Sequence, residues 1–336
     1  MPSATPSFSS TFCLYDVQIR ADADAPHVAD ALRQTLRYKG AAPDESTASA
    51  ELTLDFSTNR PTLSVPKPAR RIGRTEHGSI WIWQGDDAMY LSRGDSMVAL
   101  RPDAGIARAH IGADLSTPSD ARRDPLFYLI TMSLVILLRY RGWFPLHAAA
   151  VAQNGQGVLL TAESDSGKST TALNLVRQGW SYLSDDTVLL REEDDRVQAC
   201  SFRTDFCVDP EAADLFPALA DTDWPPSLSD TSKWRVDGQA VFPGQFTPTC
   251  VPRVLVVPSI VDRDTSTLTP ADQKDVLGAL FRQGALSMIP DRAVAEQHLN
   301  LLKRLTHQAD AYYLEAGRDA LDTPEVLDRL LAPTLD

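Results

Sequence analysis

The feature that most limits what this chain can become is a short apolar run, Gly157 to Thr161, that feeds a loop ending in Ser166-Gly167-Lys168-Ser169-Thr170. A helix-like run from Thr171 to Gln178 follows. A strand that passes into a helix through such a loop makes an anion site. Backbone N–H groups of the loop and of the helix N-terminus converge on a phosphate, and the Lys168 ammonium reaches the terminal phosphates. The Ser169 hydroxyl is the expected magnesium ligand. Two carboxylates, Asp185 and Asp186, come just after the next apolar stretch, Trp180 to Leu183. Together these features point to a nucleoside triphosphate.

Aligned on GxxxxGK[ST], the first glycine position is Ala162, and the loop interior carries Glu163, Ser164 and Asp165. Alanine is tolerated there at negative φ, and Asp165 suits a left-handed conformation. The two acids must point to solvent or face magnesium, because carboxylates repel triphosphate oxygens. The nucleotide-binding set is then Glu163, Ser164, Asp165, Ser166, Gly167, Lys168, Ser169 and Thr170. The alternative is an ordinary strand–turn–helix capped by Ser166. Asp185 and Asp186 can divide the work of phosphoryl transfer, one towards the metal and one as base towards the acceptor hydroxyl. A polar turn between two strands is the plain alternative. His147, where a strand begins in Pro145-Leu146-His147-Ala148, is either a packing residue or a hydrogen-bond partner that orients one aspartate.

The 336 residues suffice for one large domain or two ordinary ones, and a hydrophobic content of 43% supplies a sizeable core. The formal net charge of -13 argues against a nucleic-acid partner, which needs a basic footprint. ATP stays compatible, since its phosphates need only a local positive site. Cys13, Cys200, Cys207 and Cys250 have no metal-type spacing and are expected as free buried thiols in a reducing compartment. The start, MPSATPSFSSTF, lacks the basic start and apolar core of a secretory signal. The longest apolar run, Leu126 to Leu138, falls short of the roughly 20 residues that span a bilayer. It reads as a buried helix, and the protein as soluble and cytoplasmic with no membrane partner.

The N-terminal part is strand-rich. Strands are expected at Phe12 to Ile19, Glu51 to Phe56, Ser79 to Gln84, Met89 to Ser92, Met97 to Arg101 and Ile106 to Ile111, with a helix from His27 to Lys39 ending at Gly40. The Pro61 to Arg74 stretch reads as a loop with a solvated basic run. The polar segment Ser116 to Asp124 sets a boundary. Residues 1–120 form a strand-rich α+β domain, a place for acceptor recognition, and residues 121–336 an α/β domain with alternating strands and helices. In the latter, strands are expected at Ala149 to Ala152, Val158 to Thr161, Ser181 to Ser184, Thr187 to Arg191 and Val254 to Pro258. Helices are expected from Pro125 to Tyr140 and at Lys168 to Arg177, Ala271 to Gln283, Arg292 to His307 and Thr323 to Leu331.

On His147, the loop Ala162 to Ser169 and Ser184-Asp185-Asp186, the chain resembles the catalytic domain of the HPr kinase/phosphorylase family. That family has a His-Gly or His-Ala strand start, a GDSGxGKS loop, a helix ending in Arg-Gly and an Ala-Asp-Asp or Ser-Asp-Asp strand end. Arg177-Gln178-Gly179 fills the helix-end position here. The resemblance implies a fold related to phosphoenolpyruvate carboxykinase and phosphorylation of a protein serine with ATP. It implies that Lys168 and Ser169 serve phosphates and magnesium, that Asp186 is the general base, and that Asp185 and His147 support it. It covers 126–331 and is strongest over 147–190. Ala162 and Asp165 stand where the family has glycines, its later Glu-x-Arg-Gly segment has no counterpart after Asp186, and the N-terminal half differs. A better likeness is to the HPr-kinase-like proteins that phosphorylate ribosomally made peptides such as lasso-peptide precursors. They share the His-Ala-Ala start, the GKST loop, the Ser-Asp-Asp strand end and a basic element near Lys233-Trp234-Arg235. Lys233 and Arg235 are candidates to stabilise the transferring phosphoryl group; a surface hairpin strand is the alternative. Arg253 is a lesser candidate.

The expected function is ATP- and magnesium-dependent phosphorylation of a hydroxyl, a serine of a peptide or protein. Asp186, Asp185, His147, Lys168 and Arg235 are the catalytic set, and Ser169 and Asp185 the metal ligands. The partners are a nucleotide and a peptide or protein acceptor, with a homo-oligomer left open. One rival is a small-molecule kinase on the same fold. Another is a non-catalytic nucleotide-binding module, which Ala162, Glu163 and Asp165 favour.

Overall fold

The alternation Ile80-Trp81-Ile82-Trp83 is that of a strand with one face in a core. In the computed structural model Ile80 and Ile82 are buried and both tryptophans half-buried. The structure describes residues 7–36, 51–60, 63–75, 80–115, 124–210, 216, 219, 223–228, 230–284, 290–323 and 325–335. The expected helix end at Lys39-Gly40 and nearly all of the polar boundary segment lie outside them. The chain divides into two units, Met1–Arg141 with Leu228–Thr231, and Gly142–Ser227 with Ser232–Asp336.

The first unit holds β1 (Phe8–Leu14), β2 (Val17–Ala23), β3 (Leu52–Ser57), β4 (Arg70–Arg74), β5 (Trp81–Gln84), β6 (Met89–Arg93), β7 (Ser96–Arg101) and β8 (Ile106–His110). They form one sheet in the order β1-β2-β3-β8-β7-β6-β5-β4. The β2–β3 and β3–β8 pairs are parallel. A parallel step needs a crossover, and α1 (Pro26–Leu36) supplies it from β2 to β3. The apolar helix α2 (Pro125–Arg139) starts at Asp124, whose carboxylate accepts from Leu126 N at 2.9 Å and Phe127 N at 3.1 Å. It packs on α1 and on β3, β7 and β8. This burial corrects the expected boundary at 120/121: the helix belongs with the N-terminal sheet, and the division falls after Arg141.

Two further expectations are corrected here. The strand expected from Phe12 to Ile19 is a hairpin, with Leu14 paired to Val17 and Tyr15 at φ 56° in the turn. The stretch read as a loop to Arg74 ends in strand β4, and Arg71 and Arg74 lie over the Trp81 ring at 4.6 and 4.9 Å.

The second unit holds β9 (Phe144–His147), β10 (Ala149–Gln153), β11 (Gln156–Leu160), β12 (Ser181–Ser184), β13 (Thr187–Glu193), β14 (Arg196–Ser201), β15 (Asp205–Val208), β16 (Trp234–Asp237), β17 (Thr249–Ile260), β18 (Thr267–Pro270) and β19 (Asp310–Ala316). The main sheet runs β12-β10-β11-β17-β14-β13-β9, with β19 attached to β17 and β18 to β19, while β15 and β16 pair separately. Its helices longer than four residues, among the described residues, are α3 (Lys168–Arg177), α4 (Gln273–Gln283), α5 (Arg292–Gln308) and α6 (Glu325–Leu331). Helix α3 buries Ala172, Leu173, Leu175 and Val176 in a core with Val158, Leu160, Val254 and Val256. The buried Leu159 and Leu255 alternate with these along their strands, and α4 and α5 pack against β17. Among the described residues no helix is long and apolar enough to cross a membrane. No disulfide joins the four cysteines; Cys200 and Cys250 are buried, whereas Cys13 and Cys207 are only half-buried.

Candidate functional site

Strand β11 lies parallel to β17, hands the chain to the loop at Thr161, and α3 begins at Lys168. Gly167 precedes the helix at φ 92°, a conformation that costs a residue with a Cβ dearly. No side chain caps this helix, so Ser166 is not a cap; its hydroxyl oxygen is buried and has no hydrogen-bond partner among the described residues. Asp165 takes the left-handed conformation at φ 62°, and Ala162 is not among the positive-φ residues. Glu163, Ser164 and Asp165 are exposed, so the loop's acids point away from its interior. Ser169 and Thr170 are half-buried in the first turn of α3.

Lys168 is buried and folds back on the loop, its Nζ donating to Ala162 O at 2.8 Å and Glu163 O at 2.7 Å. An ammonium has three donors, so one remains beyond these two bonds. Burial pulls its pKa down, Asp186 raises it, Lys233 lowers it, and Asp165 and Asp185 raise it. Lys168 therefore sits in a field shared by both aspartates. Lys233, 3.4 Å from Asp165, is the second cation of the loop.

The aspartates occupy the junction between β12 and β13. There β12 pairs with β10 (Ser184 with Ala150), whereas β13 pairs with β9 (Thr187 with His147). The Ala148 amide donates to Asp186 O at 3.0 Å, tying the two strand-to-strand crossings together. Register thus delivers His147 to Asp186. Its Nδ1 lies 2.7 Å from the Asp186 main-chain oxygen and 3.3 Å from Oδ1. His147 ends strand β9 instead of beginning one, as the sequence had implied. Thr187 donates its hydroxyl to Asp186 Oδ2 at 3.0 Å, and Arg203 Nη1 lies 3.4 Å from the same oxygen.

The two carboxyls are driven apart in acidity. Burial pushes Asp185 up to about 7, Asp186 adds to this, and the Cys207 amide and Ser169 hydroxyl oppose it. Burial also opposes ionisation of Asp186, but the hydrogen bond and charge of His147, with Arg203 and Thr187, outweigh it and hold Asp186 well below the usual carboxylate range. Asp185 Oδ2 accepts from Cys207 N at 2.7 Å, whereas its Oδ1 is buried and has no hydrogen-bond partner among the described residues. A neighbouring pair pushed apart in this way is the usual mark of divided acid–base roles.

Lys168, Ser169, Asp185, Asp186 and His147 therefore share one locality. Arg235 stands in β16 opposite Cys207, the residue whose amide holds Asp185. Sequence reasoning missed Arg203, Thr187 and the Cys207 amide. Arg203 has no motif around it, and only the packing of the segment after β14 brings it to Asp186.

A family model described as "SynChlorMet cassette protein ScmC" matches residues 123–215, a span that holds the loop, both aspartates and Arg203. The HPr kinase/phosphorylase of Clostridium botulinum (strain Eklund 17B / Type B) is 47% identical over 49 residues, 15% of this chain and 16% of that protein. That of Geobacillus sp. (strain WCH70) is 47% identical over 51 residues, again 15% and 16%. The chain thus spans about a sixth of the length of these relatives. The Hpr(Ser) kinase/phosphatase from Coxiella burnetii superposes at a TM-score of 0.31 and 11% identity, over 56% of this chain and 94% of that one. The chain is a mixed α/β protein, and over a segment of 49 to 51 residues it is similar to HPr kinase/phosphorylases.

Proposed function

We propose that this protein transfers the γ-phosphoryl group of ATP, with magnesium, to a hydroxyl, and that the acceptor is a serine of a peptide or protein. One observation carries the reading: the buried Asp185 Oδ1 has no hydrogen-bond partner among the described residues, and the Ser169 hydroxyl bears on the same carboxyl group. Both are hard oxygen donors of the kind magnesium takes. Among the described residues no group of three or more His, Cys, Asp or Glu forms a cage. That fits a cation held by one or two protein oxygens plus substrate phosphates. When bound there, magnesium neutralises charge on the β- and γ-phosphates.

The protein's own groups divide the remaining work. Loop amides and Lys168 hold the phosphates. Asp186 is ionised at working pH, so it orients the acceptor hydroxyl. It takes the proton as the hydroxyl oxygen bonds to phosphorus and the bond to the bridging oxygen breaks, releasing ADP. His147 and Arg203 fix its direction. Lys233 and Arg235 lie where they can offset charge on the transferring group. The HPr-kinase likeness supports a protein acceptor and a cytoplasmic setting. The test is transfer of label from γ-labelled ATP into a library of serine-containing peptides. Label recovered as phosphoserine, and absent with Asp186→Asn, is expected; label that enters only sugars or nucleosides overturns the peptide reading.

A further inference from the structure

Ile260 ends β17 and is 67% exposed, the most exposed large hydrophobic side chain among the described residues. Single exposed aliphatics are ordinary; the position of this one is not. Strand β11 stops at Leu160, paired in parallel with Val256, and β17 runs on for four residues past that pairing. It carries Ile260 to the loop: a Cβ built on Gly167 would lie 3.3 Å from Ile260 Cγ1 and 3.6 Å from Cδ1. Ile260 therefore flanks the glycine at which α3 opens. This is the carboxyl end of parallel strands, where ligands of open α/β sheets bind.

The backbone that displays Ile260 is closely tied. Val261 N donates to Ala316 O at 3.0 Å, Arg318 N to Arg263 O at 2.9 Å and Asp319 N to Asp264 O at 3.1 Å. Ser266 N donates to Asp319 Oδ1 at 2.8 Å, and Gly317 N to Ser266 Oγ at 2.9 Å. Gly317 is so closely covered that a Cβ there would meet the Arg263 and Thr265 carbonyl oxygens at 2.8 Å. Ile260 thus stands on a fixed base, an apolar surface held beside an anion-binding loop.

We infer that Ile260 is the platform for the nucleoside end of the nucleotide whose phosphates enter the loop, an inference that rests on the nucleotide reading above. A triphosphate bound at the N-terminus of α3 leads its nucleoside out past Gly167, and an aliphatic face beside that exit covers the base without reading its edge. The platform adds affinity for the nucleoside and none for the phosphates. Two probes separate these contributions: magnesium-ATP and magnesium-tripolyphosphate, each titrated into wild type, Ile260→Ser and Ile260→Leu. The serine variant is expected to weaken ATP about tenfold, as the loss of most of an aliphatic contact implies. It leaves tripolyphosphate unchanged, and the leucine variant keeps ATP affinity. Unchanged ATP affinity in the serine variant overturns the inference, as does an equal loss of both probes, which would place the effect in the loop. Wild type that binds neither probe overturns this inference and the kinase reading together.

Discussion

Asp186→Asn is expected to lower the transfer rate by about a hundredfold to ten-thousandfold, the range for loss of a general base, and to leave magnesium-ATP bound as tightly as before. The asymmetry follows from geometry. Asp186 is tied by His147, Thr187 and Arg203, whereas the buried carboxyl that faces Ser169 is Asp185. Asparagine keeps the shape, and the main-chain oxygen that meets His147 Nδ1 is untouched. It removes a negative charge that acts on Lys168, a change that does not weaken the hold on phosphate. Single-turnover transfer and calorimetric binding, measured on the same preparation, decide the matter. Equal loss in both assays contradicts the assignment.

Asp185→Asn is expected to abolish a pH dependence of stability that the wild type shows without metal. Burial raises Asp185 in the folded state from 3.8 to about 7. Between these values the folded protein holds a proton that the unfolded chain has released, so stability falls as pH rises through that window. From pH 5 to pH 8 the loss is about 3 kcal/mol, at 1.36 kcal/mol per pH unit up to the folded pKa. Asp186 does not blur the measurement. Its folded pKa is depressed, so its contribution is complete above its unfolded value and is lost only in more acid solution. Urea unfolding of the metal-free protein at the two pH values should show the loss in wild type and a nearly flat response in the variant. Parallel losses in the two proteins would show that Asp185 is not the group responsible.

The local part of the site was legible in the sequence, and the part built by long-range register was not. The residues of α3, Lys168–Arg177, and of β12, Ser181–Ser184, follow directly from the Gly-Lys-Ser loop and the apolar run before Ser-Asp-Asp. The left-handed Asp165 suits the loop's own chemistry, and of the two placements open to the loop acids, solvent or magnesium, they take the exposed one. A contact between His147 and an aspartate was one of two readings, but which aspartate depends on the pairing of β9 with β13, some forty residues along the chain. Arg203 and the Cys207 amide reach the aspartates through the same kind of packing, which no spacing rule encodes. In the first unit, the apolar run Phe12 to Tyr15 passes on to Val17 and Ile19 with no Gly or Pro between, so a single strand is the sequence expectation where a hairpin stands. The apolar helix α2 looked like the opening of the second domain because its hydrophobicity does not say which sheet will cover it.

The most direct test is calorimetric titration of magnesium-ATP into wild type and Lys168→Ala. Lys168 is the buried cation between the loop and both aspartates. Losing a charge-assisted hydrogen bond and its field weakens binding by about tenfold to a hundredfold. Binding by wild type that the variant loses on this scale is the predicted result. No binding by either protein, or equal binding by both, would contradict a nucleotide held in this loop.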